Sequence, residues 1–485
     1  MAVYSVTIVA DTLEAATALR GMGLDLHERA ARRRPDTGEI TVPAVLSDDE
    51  IRQVRAAGYR VDIEEDLEQV AAARLTDVNP GANRFAPAPR GAEATREAGG
   101  ETAARRTLES LMDLSDLDEA SAFRAERTVL GGYLTPDEVE SALKTLAAAY
   151  PGMASVTPVR AETWEGRISQ ALRLRAGSQA ERVGVLITGS MHAREWGGSD
   201  ICVAFATNLL KSYASGAPLR YGHKTYTPEQ VQAILETLEL FVLADVNPDG
   251  KAYSQSADPT SGQTQGFWWR KNRNPNTSLP GGAKGVDINR NFDFLWSSGI
   301  GTSSDPQSFT YKGQQAFSEP ECRNVRDLLD GHPHIRYYVD VHCFGELILF
   351  SWGDDENQST DPNQNFLCPT FDGVRGAVGD AAYKEFMPAE DQATVTCLAQ
   401  SMNDALHAVR GKRYTVQQAV GLYPTSATSD DYVLSRHRIN GALGKVYGFT
   451  IEFGEQFVPP YAEMRRIMAD VGAAITALCH RVAEA

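Results

Sequence analysis

The alternation of apolar segments with helical patterns after residue 131 constrains the fold of this chain more than any other feature. Five segments are rich in β-branched or aromatic residues, as buried strands usually are: VGVLITG, LELFVLADV, IRYYVDV, ELILF and YGFTIEF. The stretches between them carry helical signals. In YLTPDEVESALKTLAAAYPG, Thr135 is a predicted N-cap, Pro136 takes the first helical position and Glu138 completes a capping box. The alternation predicts the α/β fold class, in which helices cover a mostly buried sheet.

Three regions differ in composition. Residues 1–74 alternate short strand-like and helix-like segments and predict a small α/β domain without a chemical site of its own. Residues 75–130 are rich in Ala, Arg, Glu, Gly and Pro and predict a linker that is partly disordered or loosely helical. Residues 131–485 carry the regular alternation and predict the main domain.

Composition and charge exclude several kinds of partner. The chain has 485 residues, of which 42% are hydrophobic, which is typical of a globular protein with a large domain and a smaller one. Its formal net charge of −17 argues against nucleic acid and against an anionic membrane as main partners. The N-terminal sequence lacks the basic and apolar regions of a secretory signal, so we expect a cytoplasmic protein unless a signal has been removed.

The cysteines are scattered along the chain and form no C-x-x-C pair. This pattern favours buried, reduced thiols. In an oxidising compartment we expect Cys368 and Cys397 to form a disulfide, because they flank one insertion.

A candidate metal site begins in the segment GSMHAREW, directly after the strand VGVLITG. His192 and Glu195 have the H-x-x-E spacing that can fill two corners of a tetrahedral zinc site, and a third protein ligand would leave one position for water. His342 closes the strand IRYYVDV, and ligand sites of such sheets lie beyond the carboxyl ends of strands. Taken singly, the H-x-x-E pair could be a solvated surface pair and His342 a structural histidine.

Four further residues have side chains suited to catalysis or substrate binding. Glu452 follows the apolar residues of YGFTIEF, so it is either a general base in a dry site or a strand glutamate that faces solvent. Arg270 follows an aromatic run and could stabilise an oxyanion. Asn289 and Arg290, in GVDINRNFDF, could hold a carboxylate through an amide and a planar guanidinium. Each arginine alone could equally form a surface ion pair.

Together these residues resemble the zinc metallocarboxypeptidases of the carboxypeptidase A/B family. From about residue 133 to the C-terminus the motifs occur in the order of that family: TPDEV, YPG, TWEGR, HAREW, VNPDG, WWRKNR, GVDINRNFD, SEPE, VDVH, GLYPTSATSDDY and FTIEF. The resemblance implies a catalytic domain with a central mixed eight-stranded sheet flanked by helices. It also implies hydrolysis of the last peptide bond of peptides or proteins with one zinc ion per chain.

The resemblance also assigns a role to each candidate residue. It implies zinc ligands at His192, Glu195 and His342, the general acid/base at Glu452 and the carbonyl-polarising group at Arg270. The remaining substrate contacts would be Asn289 and Arg290 for the terminal carboxylate, Tyr423 as the mobile tyrosine that closes over the substrate, and Arg194 in an outer subsite.

The side-chain preference depends on Asp430, which lies seven residues after the mobile tyrosine, at the floor of the family's specificity pocket. Relatives that prefer C-terminal Lys or Arg have an aspartate there, so we expect a basic preference. The alternative is that Asp430 caps a turn in a loop rich in Ser, Thr and Asp.

The N-terminal domain, residues 1–74, resembles the small α/β pro-segments of secreted family members, and Arg90, Arg96, Arg105 and Arg106 would suit its proteolytic release. A permanent accessory or dimerisation domain is an equal alternative. Two departures from the family stand out: Cys343-Phe344 where the digestive enzymes usually have Ser-Tyr, and an apparent insertion at residues 354–399.

Two other functions are alternatives to a carboxypeptidase. The first is a zinc amidase or peptidase that acts on cell-wall or γ-glutamyl peptides. Loss of the Asn-Arg pair would favour it, but this chain has the pair. A binding module without metal would need a broken ligand or general base, and all are intact.

Overall fold

The computed structural model describes residues 2–78, 81–86, 94–115, 132–257, 266–276 and 284–485. Arg90 and most of the C-terminal half of the predicted linker lie outside these ranges. Among the described residues, none of the helices is long and apolar enough to cross a membrane.

The N-terminal domain is an antiparallel sheet with helices packed on it. Its strands are β1 (Val3–Ala10), β2 (Asp25–Leu26), β3 (Arg32–Arg33), β4 (Ile40–Ser47) and β5 (Arg60–Asp66), with β1 and β4 at the centre. Its helices are α1 (Leu13–Ala18), α2 (Asp48–Ala56) and α3 (Leu67–Leu75). A capping box between Ser47 and Glu50 starts α2 directly at the end of β4.

The main domain is built on a mixed eight-stranded sheet in the order β16-β13-β17-β12-β8-β11-β7-β6. Its strands are β6 (Ala154–Pro158), β7 (Gln170–Leu174), β8 (Val183–Gly189), β11 (Leu238–Leu243), β12 (Ile335–His342), β13 (Leu347–Phe350), β16 (Thr415–Gln418) and β17 (Tyr447–Glu452). The central strands β11, β8, β12 and β17 are parallel, and so are β13 and β16. Strand β7 pairs antiparallel with β6 and β11, and β13 pairs antiparallel with β17. The expected fold class and the eight-stranded mixed sheet are therefore confirmed.

Helices cover both faces of this sheet. They are α4 (Ala94–Leu111), α5 (Pro136–Ala149), α6 (Gly197–Ser215), α7 (Pro228–Thr237), α8 (Pro248–Gln255), α9 (Pro320–Gly331), α10 (Ala389–Arg410), α11 (Ser429–Ile439) and α12 (Tyr461–Ala483). The capping box predicted for α5 is present, since the Thr135 hydroxyl accepts from the Glu138 backbone N–H and the Glu138 carboxylate accepts from that of Thr135. Two small pairs complete the domain: β9 (Leu219–Tyr221) with β10 (Lys224–Tyr226), and β14 (Asn357–Gln358) with β15 (Glu385–Phe386) inside the insertion.

The described part of the predicted linker packs on the main domain. Leu108 and Leu111 of α4 are buried in the main core, and the Asn208 side chain donates to the Met112 carbonyl at 2.6 Å. Arg84 forms a buried bidentate ion pair with Glu138. Residues 81–86 and α4 thus have more fixed structure than a loose linker requires.

The parallel strands β8, β12 and β17 bring their carboxyl ends to one edge of the sheet. A Cβ atom on Gly189, the last residue of β8, would lie only 2.7 Å from the Gly198 carbonyl oxygen. The two glycines therefore let α6 start close against the end of β8, which fixes the short segment between them. That segment contains the HAREW motif.

The cysteines, which all fall in the described ranges, are free thiols. Cys202, Cys322, Cys343 and Cys479 are buried, as expected for reduced thiols. Cys368 is partly exposed and Cys397 is exposed, and they form no disulfide with each other here.

Candidate active site

Three potential metal ligands meet at the edge where β8 and β12 end. The Nδ1 atom of His192 lies 2.8 Å from one carboxylate oxygen of Glu195, and the Nδ1 atom of His342 lies 3.1 Å from the other. The two Nδ1 atoms are 3.1 Å apart, and all three side chains are buried. Two imidazoles and one carboxylate form a donor set typical of catalytic zinc sites, so the residues fit the metal that the sequence implies.

Each histidine is held from behind by a carboxylate. The far nitrogen of His192 contacts Asp287 at 3.2 Å, and that of His342 contacts Asp340 at 2.8 Å. A carboxylate that accepts the Nε2–H of a histidine leaves Nδ1 free to bind a metal and fixes the ring orientation. The backbone N–H of Cys343 orients Glu195 in the same way, at 3.2 Å.

Asp287 and Asp340 were missed by reasoning from the sequence, although both stand inside motifs that it used. A signal was available for Asp340, because it precedes His342 by two residues on one strand and must share its face. Asp287 precedes Asn289 by two residues in GVDINRNFD, but the local sequence does not predict that its side chain reaches His192.

Glu452 is the last residue of β17 and lies directly beside His342 in the parallel register of β12 and β17. The residue is 6% exposed and lines the cavity that contains His192 and Glu195. Burial raises the pKa of its carboxyl group, against the opposing effect of His342 and Arg29. Of the two sequence interpretations, the buried position agrees with a general base and disagrees with a strand residue facing bulk solvent.

Three of the predicted substrate-contacting residues, Arg270, Asn289 and Arg290, line the same cavity, whose volume is about 570 Å³. Arg270 donates from Nε and Nη2 to one oxygen of Asp287, at 3.1 and 3.0 Å. Arg290 donates to the carbonyl oxygens of Asn289, at 2.7 Å, and Gly301, at 3.0 Å. Burial lowers the pKa of Arg290 to about 10, which still leaves it a cation at neutral pH. The cavity thus collects the cations that could hold a carboxylate and an oxyanion.

The N-terminal domain covers this cavity. Residues 23–30, between α1 and β3, contribute much of its lining. Arg194, which is fully buried, forms a bidentate ion pair with Asp25, and its guanidinium lies 4.3 Å from the ring centre of Phe457. The predicted outer-subsite arginine is therefore engaged by a carboxylate from another domain.

Arg29 reaches from the N-terminal domain to two carboxylates of the main domain. Its Nη1 atom lies 3.5 Å from Glu452, and its Nη2 atom lies 3.6 Å from Asp430. Neither nitrogen has a hydrogen-bond partner among the described residues, so charge attraction dominates the contact. Asp430 itself is fully buried at the start of α11, where its carboxylate accepts from the Thr450 hydroxyl at 2.9 Å and from the Asp431 N–H at 3.1 Å.

Four predicted site residues do not line the cavity: His342, Arg194, Tyr423 and Asp430. The Tyr423 hydroxyl donates to the Ala16 carbonyl at 2.9 Å, and the Arg20 guanidinium lies 5.0 Å from the centre of its ring. The predicted mobile tyrosine is thus packed under the N-terminal domain. Asp430 lies behind the Arg29 side chain.

The departure at Cys343-Phe344 also contacts the N-terminal domain. The Phe344 and His27 ring centres are 5.0 Å apart, and the Cys343 thiol donates to the Phe457 carbonyl at 3.3 Å. Burial raises the pKa of the Cys343 thiol well above its usual value, so it is protonated at neutral pH.

A buried two-histidine, one-carboxylate centre with an adjacent glutamate, at the edge of a mixed α/β sheet, defines a metallohydrolase. Residues 139–473 match the zinc carboxypeptidase family over more than half of the chain. The chain belongs to this family and is a metallocarboxypeptidase.

Individual relatives agree with this assignment. The chain is 31% identical to carboxypeptidase B of Astacus astacus over 318 residues, which cover 65% of this chain and 84% of the crayfish protein. Carboxypeptidase A from Helicoverpa armigera has a similar fold, with a TM-score of 0.67, 19% identity and coverage of 99% and 98% of the two chains. Thrombin-activatable fibrinolysis inhibitor has a TM-score of 0.65 at 18% identity and full coverage of both chains, so the likeness in fold includes the N-terminal domain.

Proposed function

We propose that this metallocarboxypeptidase removes Lys or Arg from the C-termini of peptides and proteins. The observation that carries the proposal is the Arg29 guanidinium, which already lies against Asp430. A pocket whose floor holds an arginine of its own chain by charge is suited to the basic side chain of a substrate. The carboxylate of Asp430 is oriented for this role by Thr450 and the Asp431 N–H.

In the proposed reaction, each cavity residue has a separate task. Glu452 takes a proton from the attacking water and passes it to the leaving amine as the peptide C–N bond breaks. Arg270 stabilises the negative charge that develops on the scissile carbonyl oxygen. Asn289 and Arg290 bind the terminal carboxylate, which restricts cleavage to the last peptide bond. A bound zinc ion would supply Lewis acidity for the water and for the carbonyl.

One zinc ion per chain is proposed. Only one other group of described His, Cys, Asp or Glu residues could hold a metal, Glu239 with His332 and His334. The Glu239 carboxylate is already paired with Arg173 and with Arg175, whose guanidinium groups repel a divalent cation. We therefore expect the second group to remain free of zinc at stoichiometric concentrations.

We also propose that the N-terminal domain holds the uncleaved chain latent, as a pro-segment would. Three contacts support this. Asp25 neutralises Arg194, Arg29 lies at the pocket floor, and the Ala16 carbonyl accepts from Tyr423. Each engages a group that a bound peptide would need. A permanent accessory domain would leave these groups accessible.

Hydrolysis of matched peptides tests both proposals. Peptides that differ only in a C-terminal Arg, Lys, Leu or Glu are incubated with the chain before and after limited trypsin treatment, and products are identified by mass spectrometry. We expect release of Arg and Lys only after cleavage, and no release from the same peptide with an amidated C-terminus. Faster removal of Leu contradicts the basic preference, and equal rates before and after cleavage contradict latency.

The alternative function, a zinc amidase on γ-glutamyl or cell-wall peptides, is tested in the same assay. The presence of Asn289 and Arg290 in the cavity supports binding of a free terminal carboxylate. A γ-glutamyl peptide cleaved faster than the Arg peptide would favour the alternative.

A further inference from the structure

Asp340 lies at the centre of a buried polar row beneath the site. Thr188 on β8, Asp340 on β12 and Thr450 on β17 are neighbours in the parallel register. All three side chains are fully buried in a sheet whose strands are otherwise largely apolar. A buried carboxylate at such a position is costly unless it is fully hydrogen-bonded, so its partners indicate why it is tolerated.

Three side chains donate to the Asp340 carboxylate. One oxygen accepts from His342 Nε2 and from the Ser429 hydroxyl, both at 2.8 Å. The other oxygen accepts from the Thr188 hydroxyl at 2.8 Å. With contacts on both oxygens the carboxylate cannot rotate, and the His342 ring has one fixed orientation.

Ser429 extends this network to the substrate-binding groups. It is the first residue of α11, and its backbone N–H donates to the Asn289 side-chain oxygen at 2.9 Å. The next residue is Asp430, at the pocket floor. A Cβ atom on Gly448 would collide with the Asp430 carbonyl, so β17 and the start of α11 are in direct contact. The start of α11 therefore cannot shift without changing both Asn289 and Asp430.

We propose that Asp340 is a positioning residue that sets two parts of the active site at once. Through His342 it orients a metal ligand, and through Ser429 it fixes the start of α11, which carries Asp430. The second half of this inference rests on the proposed function, in which Asp430 receives a basic side chain. The first half, the effect on metal binding, does not.

The chemistry requires a carboxylate at this position. An asparagine has one acceptor oxygen and one NH2 group, whereas Asp340 receives hydrogen bonds on both oxygens. In Asp340→Asn, either His342 and Ser429 would face the amide NH2 group, or that group would face the Thr188 hydroxyl, which would then have to turn its own hydrogen toward Tyr338 or the Val339 carbonyl. Either arrangement loosens the ring or the start of the helix.

Zinc affinity of the full-length chain tests the first half. Competition with a chromogenic chelator gives the zinc Kd without any need for hydrolysis. We expect Asp340→Asn to weaken zinc binding by about 10–100-fold, the usual effect of removing a carboxylate behind a metal-bound histidine. Ser429→Ala removes one of the three donors but leaves the contact between Asp340 and His342 in place, so it should weaken zinc binding by only about threefold.

The ratio of kcat/KM for peptides ending in Arg and Leu, measured after trypsin treatment, tests the second half. Ser429→Ala should lower this ratio by about tenfold, a loss of about 1.4 kcal/mol, through a higher KM for the Arg peptide. Ser429→Thr, which keeps the hydroxyl, should restore it. A role limited to overall stability would lower the unfolding temperature and leave the ratio unchanged.

Thr188→Val serves as the conservative variant if Asp340→Asn does not fold. It removes one donor to Asp340 at nearly constant volume and should weaken zinc binding by about threefold. Zinc affinity unchanged in Asp340→Asn, or in Thr188→Val where Asp340→Asn does not fold, overturns the first half. An unchanged Arg-to-Leu ratio in Ser429→Ala overturns the second. Failure of the wild-type chain to cleave any peptide would instead refute the proposed function, and the zinc comparison would still stand.

Discussion

Substitution of Arg29 by Met should release part of the proposed latency without any cleavage. The guanidinium lies 3.6 Å from Asp430 and 3.5 Å from Glu452, and at an effective dielectric constant of about 20 each attraction is worth about 4–5 kcal/mol before desolvation. Because Arg29 is buried and neither terminal nitrogen has a hydrogen-bond partner in the described part of the chain, desolvation offsets much of this sum. We take the free energy of docking to fall by about 3 kcal/mol in Arg29→Met, the lower end of the range for breaking a buried ion pair. This loss corresponds to about a 150-fold increase in the undocked fraction.

The assay is the hydrolysis rate of an Arg-ending peptide by the uncleaved chain, because that rate is proportional to the undocked fraction. Met has a similar length and lacks charge, so the pocket remains filled. Arg33→Met is the matched control, since Arg33 is exposed on β3 and its guanidinium donates within its own domain, to Gly38. We expect about 100-fold faster background hydrolysis in Arg29→Met and no change in Arg33→Met. If Arg29→Met stays within about threefold of wild type while trypsin still activates it, Arg29 does not stabilise the docked state.

Three further outcomes follow from the site. Asp430→Asn removes the charge at the pocket floor while keeping its shape, so the Arg-to-Leu ratio of kcat/KM should fall by about 10–100-fold, with the Leu peptide itself little changed; an unaltered ratio would disprove the role of Asp430. Burial lowers the pKa of His27 to about 3 in the docked domain. In a released domain the pKa of His27 returns to about 6.5, so below that pH the released domain binds a proton that the docked domain does not. Docking is therefore strongest above pH 6.5 and weakens as pH falls, by about 30-fold at pH 5. The ratio of the background hydrolysis rates of the wild-type chain and His27→Phe should rise about 30-fold between pH 7.5 and pH 5. A constant ratio would exclude His27 as the group whose protonation weakens docking. The charged groups that act on His27 are Arg194, Asp25, Arg270 and Glu195. Removal of zinc by a chelator should abolish hydrolysis, and one equivalent of zinc should restore it; a requirement for two equivalents would contradict a single site per chain.

The local sequence predicted those strands and helix starts that depend on a few neighbouring residues. The strand that ends at His342 and the capping box of Thr135 both follow from a few consecutive residues, and both are present. The order of the eight strands does not follow from periodicity, because the period of a strand carries no information about its neighbours. The resemblance to a family implied the number of strands and their mixed directions, and the structure supplied their order.

The sequence predicted the candidate metal ligands but not the contacts that the N-terminal domain makes around them. His192, Glu195 and His342 stand at strand ends, where the edge of a parallel sheet brings them together. The contact between Arg29 and Asp430 joins residues from different domains, and its formation depends on how the N-terminal domain packs. No spacing rule within the sequence could have predicted it.

If Glu452 is the general base of this carboxypeptidase, its removal must stop hydrolysis while the metal stays bound. The most direct test compares wild type and Glu452→Gln, both treated with trypsin, for zinc content by mass spectrometry and for kcat on an Arg-ending peptide. We expect one zinc ion per chain in both proteins and a kcat at least about 1,000-fold lower in the variant, because only the proton acceptor has been removed. A kcat near that of wild type with zinc still bound would contradict it.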